Sequence, residues 1–248
     1  NSTGFYGIDR FKAGGCTLHA LERAEVGPVD GKRLLHLQCH FGLDTLSWAR
    51  LGAKATGLDF SAPAIAAARE LAREAGIDAA FVVSDVYAAR DAVAGVFDVV
   101  FTSWGALCWL ADMARWARVA ASCLAPGGML YVVDAHSALM QCEREGDRLV
   151  HCYDWRTPAQ RPESFDDATT YTGDETPLKA GRTYEWFHPP ATVAQAMIDA
   201  GLTIELIHEH EVLPWPAFPF LRETEGGFYR LPDAHPKLPL SFSVRARK

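Results

Sequence analysis

The chain has 248 residues, room for one to two domains at the usual size of about 150. With 49% hydrophobic and 22% charged residues it can bury a full core, which excludes a disordered tail and a disulfide-stapled miniprotein. A formal net charge of −7 argues against a nucleic-acid backbone or an anionic membrane as main partner, because both repel negative charge.

Short apolar runs alternate with stretches of helical period from Gly31 to Ala135. Leu34 to Cys39 is the first run, and Leu43 to Leu51 follows at helical spacing. Lys54 to Phe60 is the second run. A helix over Ala62 to Ala75 follows, with Ser61 as N-cap and Pro63 in the first turn, where a missing N–H costs nothing. Ala80 to Val83, Phe97 to Thr102 and Met129 to Val133 complete the strand candidates. Between the last two lies a helix from Leu110 to Leu124, stopped by Pro126-Gly127-Gly128. Alternation of this kind predicts βαβ units and a mostly parallel sheet covered on both faces.

The rhythm changes after Ala135. Residues 136–188 are polar, and the pieces Leu149 to Tyr153 and Arg182 to Trp186 alternate at period two, which predicts an antiparallel insertion. Residues 189–248 read as a closing helix over Pro189 to Gly201 and two closing strands, Thr203 to Val212 and Leu240 to Ala246. An aromatic, proline-rich connection joins those strands. The expectation is a single doubly wound α/β domain whose cofactor core spans 31–135.

Six cysteines, with no CxxC pair and no zinc spacing, read as reduced thiols of a cytoplasmic protein. No apolar run reaches the roughly 18–20 residues of a membrane helix. The chain opens on Asn1 rather than Met, a start that leaves room for a trimmed or targeting segment. His208 and His210 share a strand face, two ligands' worth of a metal site with no third in view, so no metal is expected.

Ligands of open α/β sheets bind outside the carboxyl ends of the strands. Those positions hold Gln38, Cys39, His40, Phe41 and Gly42 after the first run, Asp59 after the second, Ser84, Asp85 and Val86 after the third, and Ser103, Trp104 and Gly105 after the fourth. Asp59 lies 17 residues past Gly42, about where an acidic residue accepts hydrogen bonds from a ribose diol.

Leu34 to Gly42 (LLHLQCHFG), Asp59, Asp85, FDVVFTS and LAPGGMLYVV together resemble the class I S-adenosylmethionine-dependent methyltransferases, over Leu34 to Val133. The RTYEWFH and later closing pattern resembles the tail of a bacterial small-molecule branch. That resemblance implies a Rossmann-like seven-stranded sheet and S-adenosylmethionine as cofactor. Gln38, Cys39, His40 and Gly42 would lie under its methionine half. Asp59 would hold the ribose, Phe60 would pack beside the adenine, and Ser61 would open the next helix. Asp85 and Val86 would meet the adenine amino group and ring, and Thr102 and Ser103 the methionine and sulfonium end. Residues 1–30, with Phe5 and Tyr6, would form an N-terminal lid. In the family the loop reads acidic-x-Gly-x-Gly-x-Gly; here His36, Gln38 and His40 replace the acidic residue and two glycines. Those side chains also make a dinucleotide pyrophosphate site unfavourable.

No (Asp/Asn)-Pro-Pro-aromatic tetrapeptide and no Pro-Cys pair follows the fourth strand, so a small-molecule acceptor is expected rather than nucleic acid, a membrane or a protein amide. A general base is optional for this chemistry. His136, just beyond the fifth strand, and His188, before the closing helix, are the candidates for catalytic contact. Aromatic side chains collect at Trp104 and Trp109 and at Trp186, Phe187, Trp215, Phe218, Phe220, Phe228 and Tyr229, where walls for a planar acceptor are expected. A cofactor-binding protein with altered or lost methyl transfer is the alternative. The pattern leaves the oligomeric state open.

Overall fold

The computed structural model describes residues 7–166 and 181–248. In chain order the elements are α1 (Ile8–Lys12), α2 (Ala20–Val26), β1 (Arg33–Leu37), α3 (Leu43–Arg50), β2 (Lys54–Asp59), α4 (Ala62–Ala75), β3 (Ala80–Val83), α5 (Ala89–Ala92), β4 (Phe97–Ser103), α6 (Met113–Cys123) and β5 (Leu124–Ala135). They continue with α7 (Ser137–Met140), β6 (Cys142–Glu145), β7 (Arg148–His151), β8 (Glu163–Asp166), β9 (Arg182–Glu185), α8 (Pro190–Asp199), β10 (Thr203–His210), β11 (Val212–Leu213), β12 (Arg222–Glu223), β13 (Tyr229–Arg230) and β14 (Ser241–Arg247).

Seven strands form one sheet in the order β10-β14-β5-β4-β1-β2-β3. Only β14 runs against its neighbours, paired antiparallel to both β5 and β10. The strand order reverses at β1, between β2 and β4, so a crevice opens over the carboxyl ends of those strands. Both sheet faces are covered. Leu35, Leu37, Val100, Leu130 and Val132 face Trp116, Ala120 and Met197 of α6 and α8. Leu34, Val99, Phe101 and Tyr131 face Trp48 of α3 and Val26 of α2. Near-continuous burial of β1, β4 and β5 explains why those strands read as unbroken apolar runs.

Local chemistry sets the boundaries. The Ser61 hydroxyl accepts from Ala64 N–H at 3.3 Å, and α4 ends on Gly76 at φ 63°, as its sequence signals predict. The helix expected from Leu110 starts at Met113, because the Asp112 carboxylate caps Arg115 N–H at 2.8 Å. β5 reaches back through the Pro-Gly-Gly stretch to Leu124, which pairs with Phe97. The connection expected to be irregular between Leu213 and Pro239 contains the small sheet β11-β13-β12 and an apolar cluster of Leu139, Leu213, Leu221, Leu231 and Leu240. Strands of two residues are too short to leave a period. The insertion forms two hairpins, β6–β7 and β8–β9.

Phe5 and Tyr6 lie outside the described residues. Further along the same N-terminal segment, Phe11 is 1% exposed and packs among Leu43, Leu46, Ile65 and Phe81, with the Arg50 guanidinium 3.9 Å above its ring. α1 is therefore part of the core. None of the six cysteines is in a disulfide, and among the described residues no helix is long and apolar enough to cross a membrane.

Candidate active site

The loop from β1 to α3 carries the least ordinary backbone in the chain. Gln38 has φ 56°, His40 φ 51° and Gly42 φ 82°. Residues with a Cβ avoid this region, at roughly 1–2 kcal/mol each, although His enters it more readily than most. Two hydrogen bonds hold the loop there: Gln38 Nε2 donates to the Ala106 carbonyl at 2.8 Å, and His40 N–H donates to Asp59 Oδ2 at 2.8 Å. Gly42 serves packing, since a Cβ there would lie 2.6 Å from the Phe81 ring and 3.0 Å from Ala68. Cys39 is buried, and desolvation pushes its thiol up to about 12, so it stays a neutral packing group.

Asp59 ends β2 and is 7% exposed. Its Oδ1 accepts from Ser61 N–H at 2.9 Å, so the carboxylate ties the loops after β1 and β2 together and keeps one further lone pair on each oxygen. Beside it Phe60 is 77% exposed, a large apolar ring left in water at the crevice mouth. Asp85, after β3, accepts from Tyr87 N–H at 2.7 Å and so starts the short 3-10 turn that buries Val86.

At the end of β4, Ser103 Oγ donates to Asp44 Oδ2 at 3.1 Å and lies 3.5 Å from His36 Nε2. Asp44 also accepts from Thr17 Oγ1 at 2.5 Å, and His36 Nδ1 is 2.9 Å from Thr45 Oγ1. Burial pushes the His36 imidazole down to about 4, against the pull of Asp44 and Asp59, so it is neutral at physiological pH. A neutral ring therefore stands where the resemblance leads one to expect an acid, and the Asp44 carboxylate meets the same Ser103 hydroxyl. Thr102 is fully buried with its hydroxyl unpartnered.

Three further residues shape the site, and the sequence pattern had singled out none of them for it. Asp134 in β5 accepts from the N–H groups of Gly105, Ala106 and Leu107 at 2.6, 3.0 and 2.8 Å, which folds the loop after β4 and aims the Ala106 carbonyl at Gln38. Glu22 of α2 is fully buried; its Oε1 accepts from Trp104 Nε1 at 2.6 Å, its Oε2 has no partner, and burial pushes the carboxyl up to about 7. Asp44 had one available signal, an acid in the first turn of a helix, where the macrodipole favours it.

Trp104, at φ 22°, stands edge-on to Trp215 at 6.2 Å and Phe228 at 6.3 Å, and Phe228 stacks on His19 at 4.2 Å. The expected aromatic wall thus gathers Trp104, Trp215 and Phe228, while Trp109 is 48% exposed.

The two histidines expected to act in catalysis each hold a structural hydrogen bond. His136 Nδ1 accepts from Ala138 N–H at 2.9 Å as the cap of α7, which puts the proton on Nε2, donated to Glu209 Oε1 at 3.1 Å. Neither nitrogen keeps a lone pair for an acceptor's proton. His188 is buried and donates from Nε2 to the Leu110 carbonyl at 2.6 Å. His208 pairs with Glu25 and His210 with Ser243, and no cluster of three metal-ligating side chains occurs among the described residues.

The donor set fits S-adenosylmethionine. Gln38 Oε1 is a buried acceptor with no partner, so the loop after β1 keeps a place for one hydrogen-bond donor, which an ammonium could supply.

A family model described as a methyltransferase domain matches residues 35–130. The chain is 37% identical over 113 residues to a ubiquinone biosynthesis O-methyltransferase of Sodalis glossinidius, covering 46% of this chain and 44% of that one. It is 29% identical over 204 residues to the protein of that name in Xanthomonas axonopodis, covering 80% and 76%. The first match therefore spans less than half the length of its relative. In fold it is similar to an S-adenosylmethionine-dependent methyltransferase of Mesorhizobium loti (TM-score 0.61, 23% identity, 91% of this chain and 95% of that one). It is likewise similar to the glycopeptide N-methyltransferase MtfA solved with S-adenosylmethionine (TM-score 0.55, 19% identity, 91% and 90%). The ordered motifs, the seven-stranded sheet and these matches agree on a methyltransferase domain over residues 35–130 and on the fold of S-adenosylmethionine-dependent methyltransferases.

Proposed function

We propose that the crevice over β1, β2 and β4 binds S-adenosylmethionine and that the protein methylates a small molecule seated against the Trp104 cluster. When bound, the cofactor supplies a methyl group already activated as a sulfonium. What remains for the protein is to align an acceptor and exclude water.

The observation that carries this reading is the backbone of Gln38, His40 and Gly42. All three adopt the left-handed conformation that glycine enters most readily, although two of them are not glycine. Such strain persists only where surrounding structure over-determines it, and it gathers at functional sites. In this reading Asp59 accepts the ribose hydroxyls on its two remaining lone pairs, and Phe60 covers the adenine. Asp85 and Val86 meet the adenine's polar edge, and Gln38 Oε1 takes the methionine ammonium. Cys39 fills space beneath the loop, and Ser61 joins it to α4. Thr102 and Ser103, with Asp44 behind them, close the sulfonium end. His136, with both ring nitrogens engaged, holds a segment that walls the acceptor space, and His188 anchors the start of α8 to the Leu110 carbonyl. The curated relatives' names support an oxygen acceptor, and the solved glycopeptide enzyme a nitrogen one.

The test is titration with S-adenosylhomocysteine by calorimetry, followed by turnover of S-adenosylmethionine with an acceptor library. Binding in the micromolar range and acceptor-dependent release of S-adenosylhomocysteine are expected. No binding at millimolar ligand would overturn the reading. Binding without turnover on any acceptor would leave a cofactor-binding protein.

A further inference from the structure

We propose that the cavity beyond the Trp104 cluster is the acceptor subsite and that it takes an amine, a flat or apolar body carrying a protonated nitrogen. This rests on the methyl-transfer reading. The cavity, of ≈ 280 Å³, lies among α7, β6, β8, β9 and the segment from Trp215 to Phe218. Its walls are Phe165, Phe187, Trp215 and Phe218, and its charged groups are the carboxylates of Glu143 and Glu185. No Lys, Arg or His is among the described residues that line it.

Position ties the cavity to the reaction. Trp215 is shared between its wall and the Trp104 cluster, 6.2 Å from Trp104 by ring centroids, and Trp104 directly follows Ser103 at the end of β4. The same wall is clamped to that strand's loop by Trp186 N–H donating to the Cys108 carbonyl at 2.8 Å.

Charge decides the class of occupant. Aromatic faces attract a cation, and carboxylates beside apolar walls bind one more strongly than they would in open water. An anionic acceptor is repelled, and a neutral one gains no ion pair. Glu185 also stands opposite Glu163 in the β8–β9 register, so the strand pair adds a second carboxylate on this side of the cavity. Size agrees: a cavity of about 150 Å³ holds benzene, so this one takes a ring with a short arm. For transfer, the ammonium passes one proton to a lining carboxylate and on to solvent. The freed nitrogen lone pair then forms the N–C bond as the C–S bond breaks, leaving a thioether and a methylated ammonium, which releases its own proton to solvent.

The experiment compares 2-phenylethylamine, 2-phenylethanol and 3-phenylpropionate by calorimetry, with and without S-adenosylhomocysteine. The amine is expected to bind at least about tenfold more tightly than the alcohol, with no propionate binding. The Glu143→Gln/Glu185→Gln double variant, checked for an unchanged melt, should erase that advantage and leave the Kd values for the alcohol and for S-adenosylhomocysteine as they were. The proposal is overturned if the alcohol or the acid binds as well as the amine, if no probe binds up to about 10 mM, or if the advantage survives in the double variant. An amine preference found where S-adenosylhomocysteine fails to bind supports the cavity's chemistry and overturns the cofactor reading instead.

Discussion

Replacing His40 with glycine is expected to stabilise this protein, against the usual sign of a side-chain deletion. His40 sits at φ 51°, and the left-handed region costs a residue with a Cβ roughly 1–2 kcal/mol. Glycine removes that strain and returns about 0.4–1 kcal/mol to the unfolded chain through its greater freedom. The hydrogen bond to Asp59 comes from the His40 backbone N–H, so the substitution keeps it. The substitution gives up the ring's edge contact with Phe41, at 4.8 Å. The balance is a gain of about 0.5–1 kcal/mol, or roughly 2–4 °C in Tm per kcal/mol for a domain of this size. His40→Ala keeps the strain and loses the ring, so it should lie about 1 kcal/mol below the glycine variant. Urea unfolding followed by circular dichroism gives both values, provided the m-value is unchanged. If the alanine variant equals or exceeds the glycine variant, the loop is not strained at this position and the reasoning fails.

Other expectations follow from the same contacts. Asp59→Asn should raise the Kd for S-adenosylhomocysteine at least about tenfold, since an amide cannot accept at both oxygens and loses a charge-assisted bond; a change below about threefold would remove Asp59 from the ribose site. Gln38→Leu should weaken S-adenosylhomocysteine but spare 5′-methylthioadenosine, which has no ammonium, and equal losses on both ligands would contradict the role given to Oε1. Glu22 holds its proton up to about 7 in the fold and releases it near 4.5 when unfolded, so its contribution to stability is lost as pH rises through that window. The stability of the wild type relative to Glu22→Gln should therefore fall by on the order of 3 kcal/mol between pH 4.5 and 7, read from denaturation curves at each pH. His36 has the opposite sign: its folded value of about 4 makes its contribution full above 6.5 and lost as pH falls. Phe11→Ala should cost about 3–5 kcal/mol in a urea melt, and removing residues 1–15 should lower Tm at least as clearly as it weakens cofactor binding; an unchanged melt would mean that α1 only covers the crevice.

Much of the fold was legible because it rests on local signals. The Ser61 cap and Pro63 start α4 and Gly76 ends it, and the buried parallel strands left short apolar runs. The position of Asp59 at the end of β2 was legible for a similar reason, since its distance from Gly42 is fixed by one helix and one strand. The short strands β11, β12 and β13 were not, because two residues carry no period.

Side-chain commitments divide the rest. By itself the sequence determined the order of the core elements and which residues stand at the carboxyl ends of the strands, because caps, runs and spacing act over a few residues. Only the tertiary structure decided which partners those residues take there. Glu22 meets Trp104 across 82 positions of chain and Asp134 meets Gly105 across 29, and His136 is held by Glu209 across 73. The free lone pairs that chemistry needs depend on such distant partners, which set burial, tautomer and charge and leave no trace in local pattern.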